Sequence, residues 1–158
     1  MIGTTAPIVK LETCRAIREY MFGGSAKITV VSNKTNLDLV FKIKDAGKNR
    51  FWVYVRYEAT PKQKKRKSDK PYKKEYKGKY IGTIINNKWF PNAATLHYVS
   101  QRAFAWLWSF LKDHRMPTKC IIYHKGTCRR CEADLTSPKS ILKGIGPCCE
   151  KLVKERLL

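Results

Sequence analysis

The chain has 158 residues, 43% of them hydrophobic and 11% aromatic, which is enough to bury a core within one domain. It carries 33 basic against 12 acidic side chains, and a formal charge of +21 sets it against itself and selects partners rich in negative charge, nucleic acid first. The longest apolar run, residues 103–108 continued by Phe110 and Leu111, is too short to span a bilayer, and residues 1–25 hold no continuous apolar segment of the secretory kind.

Six cysteines without such a signal point to a reducing compartment, where thiols bind metal rather than pair. A cytoplasmic protein with no membrane partner is therefore expected. Residues 8–22 place Ile8, Leu11, Cys14, Ile17 and Met21 at helical spacing. Pro7 suits a first helical position there, and Gly23 with Gly24 suits a stop. A run of strand-like segments follows. Residues 27–32 are β-branched, residues 37–44 alternate Leu37, Leu39, Phe41 and Ile43 against Asp38, Lys42 and Lys44, and residues 51–57 are dense in aromatic and β-branched types. Turn residues at 33–36 and 45–49 separate them. Residues 80–85 read as a further strand, turned by Asn86, Asn87 and Lys88 towards Trp89 and Phe90. Short segments between such turns predict an antiparallel meander.

Residues 62–79 interrupt that meander with ten basic and two acidic side chains, +8 in eighteen positions. A block of like charge repels itself and predicts a long flexible loop. Its Lys62, Lys64, Lys65, Arg66, Lys67, Lys70, Lys73, Lys74 and Lys77 are candidate phosphate contacts, and Tyr72 and Tyr76 among them could stack on bases. The same lysines also fit a solvated loop or a localisation signal.

Ser100 is the expected N-cap of the next helix, over residues 101–112, with Ala103, Phe104, Leu107, Trp108 and Leu111 on one face. Trp106 and Phe110 widen that face, so the helix should form the hydrophobic centre of the fold. Pro117 ends it, and residues 118–123 read as one more strand leading into the cysteines.

There the spacing is His124-x3-Cys128-x2-Cys131-x17-Cys149. A Cys-x-x-Cys turn lets two thiolates reach one ion, and Pro147 at a first helical position puts Cys148 and Cys149 in a helical first turn, where N–H groups favour thiolate. This knuckle-then-helix order resembles a treble clef or zinc ribbon, and four protein ligands would close it as a structural zinc site. Cys148 competes with Cys149 for one place, and Cys120 could replace His124. Cys120 and Cys14 read more simply as small buried hydrophobes. A redox role is disfavoured because no strand–CxxC–helix arrangement of thioredoxin type surrounds the pair.

The stretch from His124 through Leu135, Thr136, Ser137, Pro138, Ser140 and Ile141 to Gly144, Ile145, Gly146, Pro147 and Cys149 resembles a family of small phage and prophage proteins. Its members carry a segment close to H-x-G-x-C-x-x-C-G-x-x-L-T-x-P-x-S-I-x-x-G-I-G-P-x-C and are known only as a domain of unknown function. The resemblance extends upstream to residues 26–35, 80–84 and 103–108, so it covers most of the chain, and the C-terminal 35 residues, 124–158, are its most specific part. It implies His124, Cys128, Cys131 and Cys149 as ligands, with Cys148 at a variable position. Two departures stand out. Glu132 occupies the place of the usual glycine after the knuckle, and the lysine-rich stretch at 62–79 is foreign to the family. The resemblance implies a fold and a phage context and supplies no activity.

The expected fold is therefore α+β: an antiparallel meander sheet packed by one aromatic-rich helix at 1–117, with a treble-clef or zinc-ribbon-like module at 118–158. The expected function is non-catalytic nucleic-acid binding, DNA or RNA, through the lysine-rich arm and through Arg129, Arg130, Lys139 and Lys143 of the module. A second expectation is a module that binds a host complex such as a polymerase, ribosome or defence effector, with Trp52, Trp89 or Trp106 as anchors. A metal-dependent nuclease is the third. It lacks a visible nucleophile–base arrangement, because His97 and His114 flank the long helix and Asp134 and Glu132 are the only acids inside the knuckle-to-helix loop.

Overall fold

The computed structural model describes residues 8–33, 38–57 and 78–156. Its elements run β1 (Val9–Lys10), α1 (Cys14–Met21), β2 (Ser25–Ser32), β3 (Asp38–Gly47), β4 (Arg50–Tyr57), β5 (Lys79–Ile85) and β6 (Lys88–Pro91). A 3₁₀ turn (Ala93–Thr95), α2 (Val99–Leu111), β7 (Cys120–His124), α3 (Pro138–Lys143) and α4 (Pro147–Arg156) follow. The strands form one antiparallel sheet in the order β1-β7-β2-β3-β4-β5-β6. The meander expected from the alternation is thus present from β2 to β6, and an α+β fold results.

Two tight turns set its register. Lys48 and Asn49 between β3 and β4 have φ of 55° and 58°, and Asn86 and Asn87 between β5 and β6 have φ of 48° and 69°. Paired positive φ values make the turn whose twist matches flanking antiparallel strands, and asparagine tolerates them. The two turns meet, Asn49 Nδ2 donating to Asn86 Oδ1 at 3.2 Å.

With that register, Ala26, Ile28, Phe41, Ile43, Val53, Val55, Ile81 and Ile84 point into one buried cluster. Both helices lie on this face. Helix α1 contributes Ile17, Tyr20 and Met21, and α2 contributes Phe104, Leu107, Trp108 and Leu111. Phe104 sits edge-on to Phe41 at 5.1 Å and tilted against Trp89 at 4.9 Å. Polar groups at the margin are tied in. Trp108 Nε1 donates to the Asn87 carbonyl, and the buried Gln101 Nε2 donates to the carbonyls of Ile81 and Asn92. Arg18 reaches the Leu111 carbonyl at 2.8 Å while its guanidinium lies 5.0 Å from the Trp108 ring centroid.

Three expectations are corrected. The first helix begins at Cys14, capped by Thr13 Oγ1 accepting from Ala16 N, and residues 9–10 instead extend the sheet by pairing with β7. The unpaired edge of β7 outweighs the helical spacing of so short a segment, which gains backbone hydrogen bonds there. Helix α2 begins at Val99 with Tyr98 at the cap position, so Ser100 lies within the first turn; it is buried, and its Oγ has no partner among the described residues. The division expected between residues 117 and 118 would place β7 with the cysteine module. The sheet instead takes β7 between β1 and β2, with Thr29 opposite Tyr123 and Val30 opposite Ile122. Of the basic arm, Lys62 through Lys77, with Tyr72 and Tyr76, lies outside the described residues.

Phe104 is fully buried where the sheet, β6 and α2 meet. Phe104→Ala should cost about 3–5 kcal/mol, because it removes buried apolar surface and leaves a cavity. Denaturant unfolding should report this as a lower midpoint with an unchanged slope.

Candidate metal centre

Strand β7 delivers the chain directly into the knuckle. A bridge between Thr127 and Asp134 closes it, with Cys128 N donating to Ala133 O and Leu135 N donating to Gly126 O, both at 2.8 Å. Glu132 N returns to Cys128 O at 2.9 Å, and Glu132 takes a φ of 66°. That left-handed backbone explains why glycine suits this position: without a Cβ it carries no penalty there. Glu132 is held in it by its side chain, whose carboxylate accepts from Ser25 Oγ at 2.8 Å and pairs with Lys42 Nζ at 3.0 Å. The departure from the family motif therefore ties the knuckle to β2 and β3.

After the knuckle, Ser137 caps α3 by accepting from Ser140 N. Gly144 ends α3 with φ of 72°, and its carbonyl accepts from Arg129 N at 2.8 Å. Helix α4 then starts at Pro147, as expected, so that Cys149 falls in its first turn. The Cys128, Cys131 and Cys149 ligand atoms all lie within 4.8 Å of one another. This trio could hold a metal ion. Cys128 and Cys149 are buried and Cys131 is exposed, so one side of the group faces water.

Two of the trio, Cys128 and Cys149, also belong to the apolar core of the module. Among the described residues, the buried apolar residues clustered there are Cys128, Ile145 and Cys149, with Leu135 and Val153 packed against them. So small a cluster contributes little burial, and a shared ion is the kind of staple that a module of this size uses.

Electrostatics at the sulfurs point the same way. Burial pushes the Cys128 thiol up, but the N–H groups of Gly146, Arg130 and Cys131 and the Cys131 thiol outweigh it and hold Cys128 below the ordinary thiol value. The Ala133 N–H lowers Cys131, yet burial and the neighbouring sulfurs of Cys149 and Cys128 raise it on balance. Clustered sulfurs resist joint ionisation unless a cation accompanies them. Arg130 supplies part of that charge, with its N–H 3.4 Å from Cys128 Sγ and its guanidinium 3.6 Å from Cys149 Sγ.

His124, expected as the fourth ligand, is not gathered with the three cysteines. Its ring is buried and stacks on Tyr20, with centroids 4.5 Å apart and planes 8° from parallel. Burial lowers its pKa to about 4, and its Nδ1 accepts from Gly126 N at 3.1 Å. Of the alternatives, Cys148 is exposed beside Cys149, and Cys120 packs against the main core with burial raising its thiol pKa. Cys14 is buried, its Sγ 3.9 Å from the Leu111 carbonyl, as expected of a small hydrophobe.

The basic residues of the module divide. Arg129 is largely engaged: it donates to the Lys143 carbonyl at 3.2 Å, lies 3.4 Å from Glu19 and packs over Gly23. Lys143 pairs with Glu150 at 3.0 Å and Lys139 is exposed. What sequence reasoning missed is the seam. Tyr20 donates its hydroxyl to the Thr127 carbonyl, burial raises its pKa to about 12, and its ring lies against both His124 and Gly144. The Gly-Ile-Gly run was the available signal, since a glycine ending a short helix marks a left-handed cap.

A Cβ on Gly144 would stand 2.8 Å from Tyr20 Cε2, at a φ that side chains rarely adopt. Gly144→Ala should therefore destabilise the protein by about 1–3 kcal/mol. Limited proteolysis should find the loss as earlier cleavage within 125–156 than within the sheet.

Among known proteins, a family model matches residues 122–154, that of a family of unknown function, DUF6011. The match covers the end of β7, the knuckle and both module helices. No curated protein and no solved structure matches the chain.

Proposed function

We propose that this is a non-catalytic, phage-type nucleic-acid-binding protein of the cytoplasm, whose C-terminal cysteine module is stapled by a structural zinc ion. The observation that carries the reading is the charge: +21 on 158 residues is a field that a polyanion relieves. The lysine-rich arm at 62–79, with exposed Lys139 and the accessible part of Arg130, would contribute phosphate contacts. Arg129 and Lys143 would act mainly as internal clamps, given their partners.

Cys128, Cys131 and Cys149 would hold the zinc, with His124 or Cys148 as the fourth ligand, and the ion would supply cross-linking rather than chemistry. Support for a non-catalytic role comes from the histidines. His97 precedes α2 and His114 follows it, so the length of a 13-residue helix separates them. The third, His124, is shut in against Tyr20. Among the described residues no helix is long and apolar enough to cross a membrane.

A host-protein partner is the second reading. One observation favours it: Trp106 and Val99, 42% and 63% exposed, border an apolar groove that also includes Leu39 and Ala103. Trp89 does not serve as such an anchor, since it packs against Phe104 and lies over Gly82.

Two measurements test the proposal. Protein purified without nuclease should carry about one zinc per chain, and Cys128→Ala, Cys131→Ala and Cys149→Ala should each lose it. Retention by only one of His124→Ala and Cys148→Ala would identify the other position as the fourth ligand. Chelation should raise amide exchange across 125–156 and leave the sheet protected, because the two apolar clusters are separate. Binding to nucleic acid should weaken by orders of magnitude between low and moderate salt. Weak binding that is insensitive to salt, together with one host protein retained after nuclease treatment, would replace the first reading with the second.

A further inference from the structure

Helices α1 and α2 cover one face of the sheet, and the register leaves a different chemistry on the other. Trp52 lies opposite Thr83 and Lys44, Thr83 lies opposite Phe90, and Tyr54 lies opposite Tyr80. These positions alternate with Phe51, Val53, Val55 and Trp89, whose side chains join the core, so they share the face away from the helices. Trp52, Tyr80 and Phe90 are 40%, 37% and 49% exposed, unusual for three large aromatic residues grouped on one sheet. Tyr80 is fixed by its hydroxyl contact to Thr83 and by the edge of Tyr54, ring centroids 5.9 Å apart. Towards the β1 edge the same face closes, since Thr29, Val40 and Tyr123 are buried. The exposed part therefore lies over β3 to β6.

Cations share it. Lys44, Arg50 and Lys88 are exposed at positions of the same parity, and Lys27 and Lys42 lie opposite each other nearer the centre. Among the described residues, Asp38 and Glu132 are acids on this side, and Glu132 is already paired to Lys42.

We propose that this face is a stacking platform for single-stranded nucleic acid. Trp52 on β4 and Phe90 on β6 flank Thr83 of β5 and so stand two strand spacings, roughly 10 Å, apart; with Tyr80 they present apolar surface that splayed bases can use, and lysines between them meet the backbone phosphates. A duplex hides its base faces within the stack, whereas splayed single-stranded bases present them to flat rings. A buried apolar partner would be matched by a ring of neutral residues, and here the aromatic rings are interspersed with positive charge instead. The platform rests on the nucleic-acid reading above and adds to it a site, and a preference for one strand over two.

The test uses the full chain with fluorescein-labelled oligothymidine and oligouridine, and with the corresponding duplex, at low and moderate salt. Trp52→Ala and Phe90→Ala should each weaken single-strand binding on the order of tenfold and leave duplex binding within about twofold. Trp52→Phe should retain most of the affinity, and Trp106→Ala, exposed on the helix side, should change nothing. Thermal melts accompany each variant; if Trp52→Ala lowers the melting temperature, Phe90→Ala and Trp52→Phe decide. Equal affinity for the two single strands would place recognition in the bases, and a preference for oligouridine would add contacts to the ribose hydroxyl. Wild-type binding that is steeply salt-dependent yet unchanged in Trp52→Ala and Phe90→Ala would overturn the platform and leave the electrostatic reading standing. Absence of salt-dependent binding to any of the probes would overturn both.

Discussion

Strand β7 is the constraint on which the rest of the structure depends. It pairs with β2 through Thr29, Val30, Val31 and Ser32, takes β1 on its other side, and ends at His124 in the knuckle. One strand therefore fixes the position of the cysteine module relative to the sheet. The Tyr20 ring, stacked on His124 and packed against Gly144, makes that junction apolar and flat. The Glu132 carboxylate, held by Ser25 and Lys42, closes its other side. Arg129 completes the seam from the α1 side by reaching Glu19 and the Lys143 carbonyl.

The chain has two apolar clusters of very different size. The sheet and its two helices share a core large enough to be stable on burial alone. The module's cluster has three buried members, two of which are cysteines of the trio that could hold a metal ion. Stability in the module is thus bound up with the state of its cysteines, whereas the sheet is independent of them. A protein built this way can present basic side chains on a small rigid appendage without a second hydrophobic core.

Its charge has structural consequences as well. Several cations near the module are committed to internal partners: Arg129 to Glu19, Lys143 to Glu150 and Lys42 to Glu132. Lys42–Glu132 joins the module to the sheet, Arg129–Glu19 joins it to α1, and Lys143–Glu150 ties α3 to α4 within it. Part of the positive charge lies beside the exposed rings of Trp52 and Phe90, where Lys44 and Lys88 are exposed on the same face.

Much of this was legible in the residues themselves. Period-two alternation in 37–44 and the paired asparagines at 86–87 specify strands and tight turns locally, because side-chain direction and positive φ are properties of neighbouring residues. The Cys-x-x-Cys turn and Pro147 likewise bring Cys128, Cys131 and Cys149 together through local geometry. Contacts between distant segments were decided elsewhere. Residues 9–10 joined the sheet because β7 offered an open edge, Ser100 was carried inside the α2 first turn, and His124 turned to Tyr20 instead of the sulfurs. The common face of Trp52, Tyr80 and Phe90 came from a register set by three hairpin partners and a bulge near Val53. Sequence alone determined which segments fold and which side chains can bind metal or phosphate, since these follow from short-range chemistry. Tertiary structure alone decided which of those groups meet, because that depends on edges, registers and burial that no single segment contains.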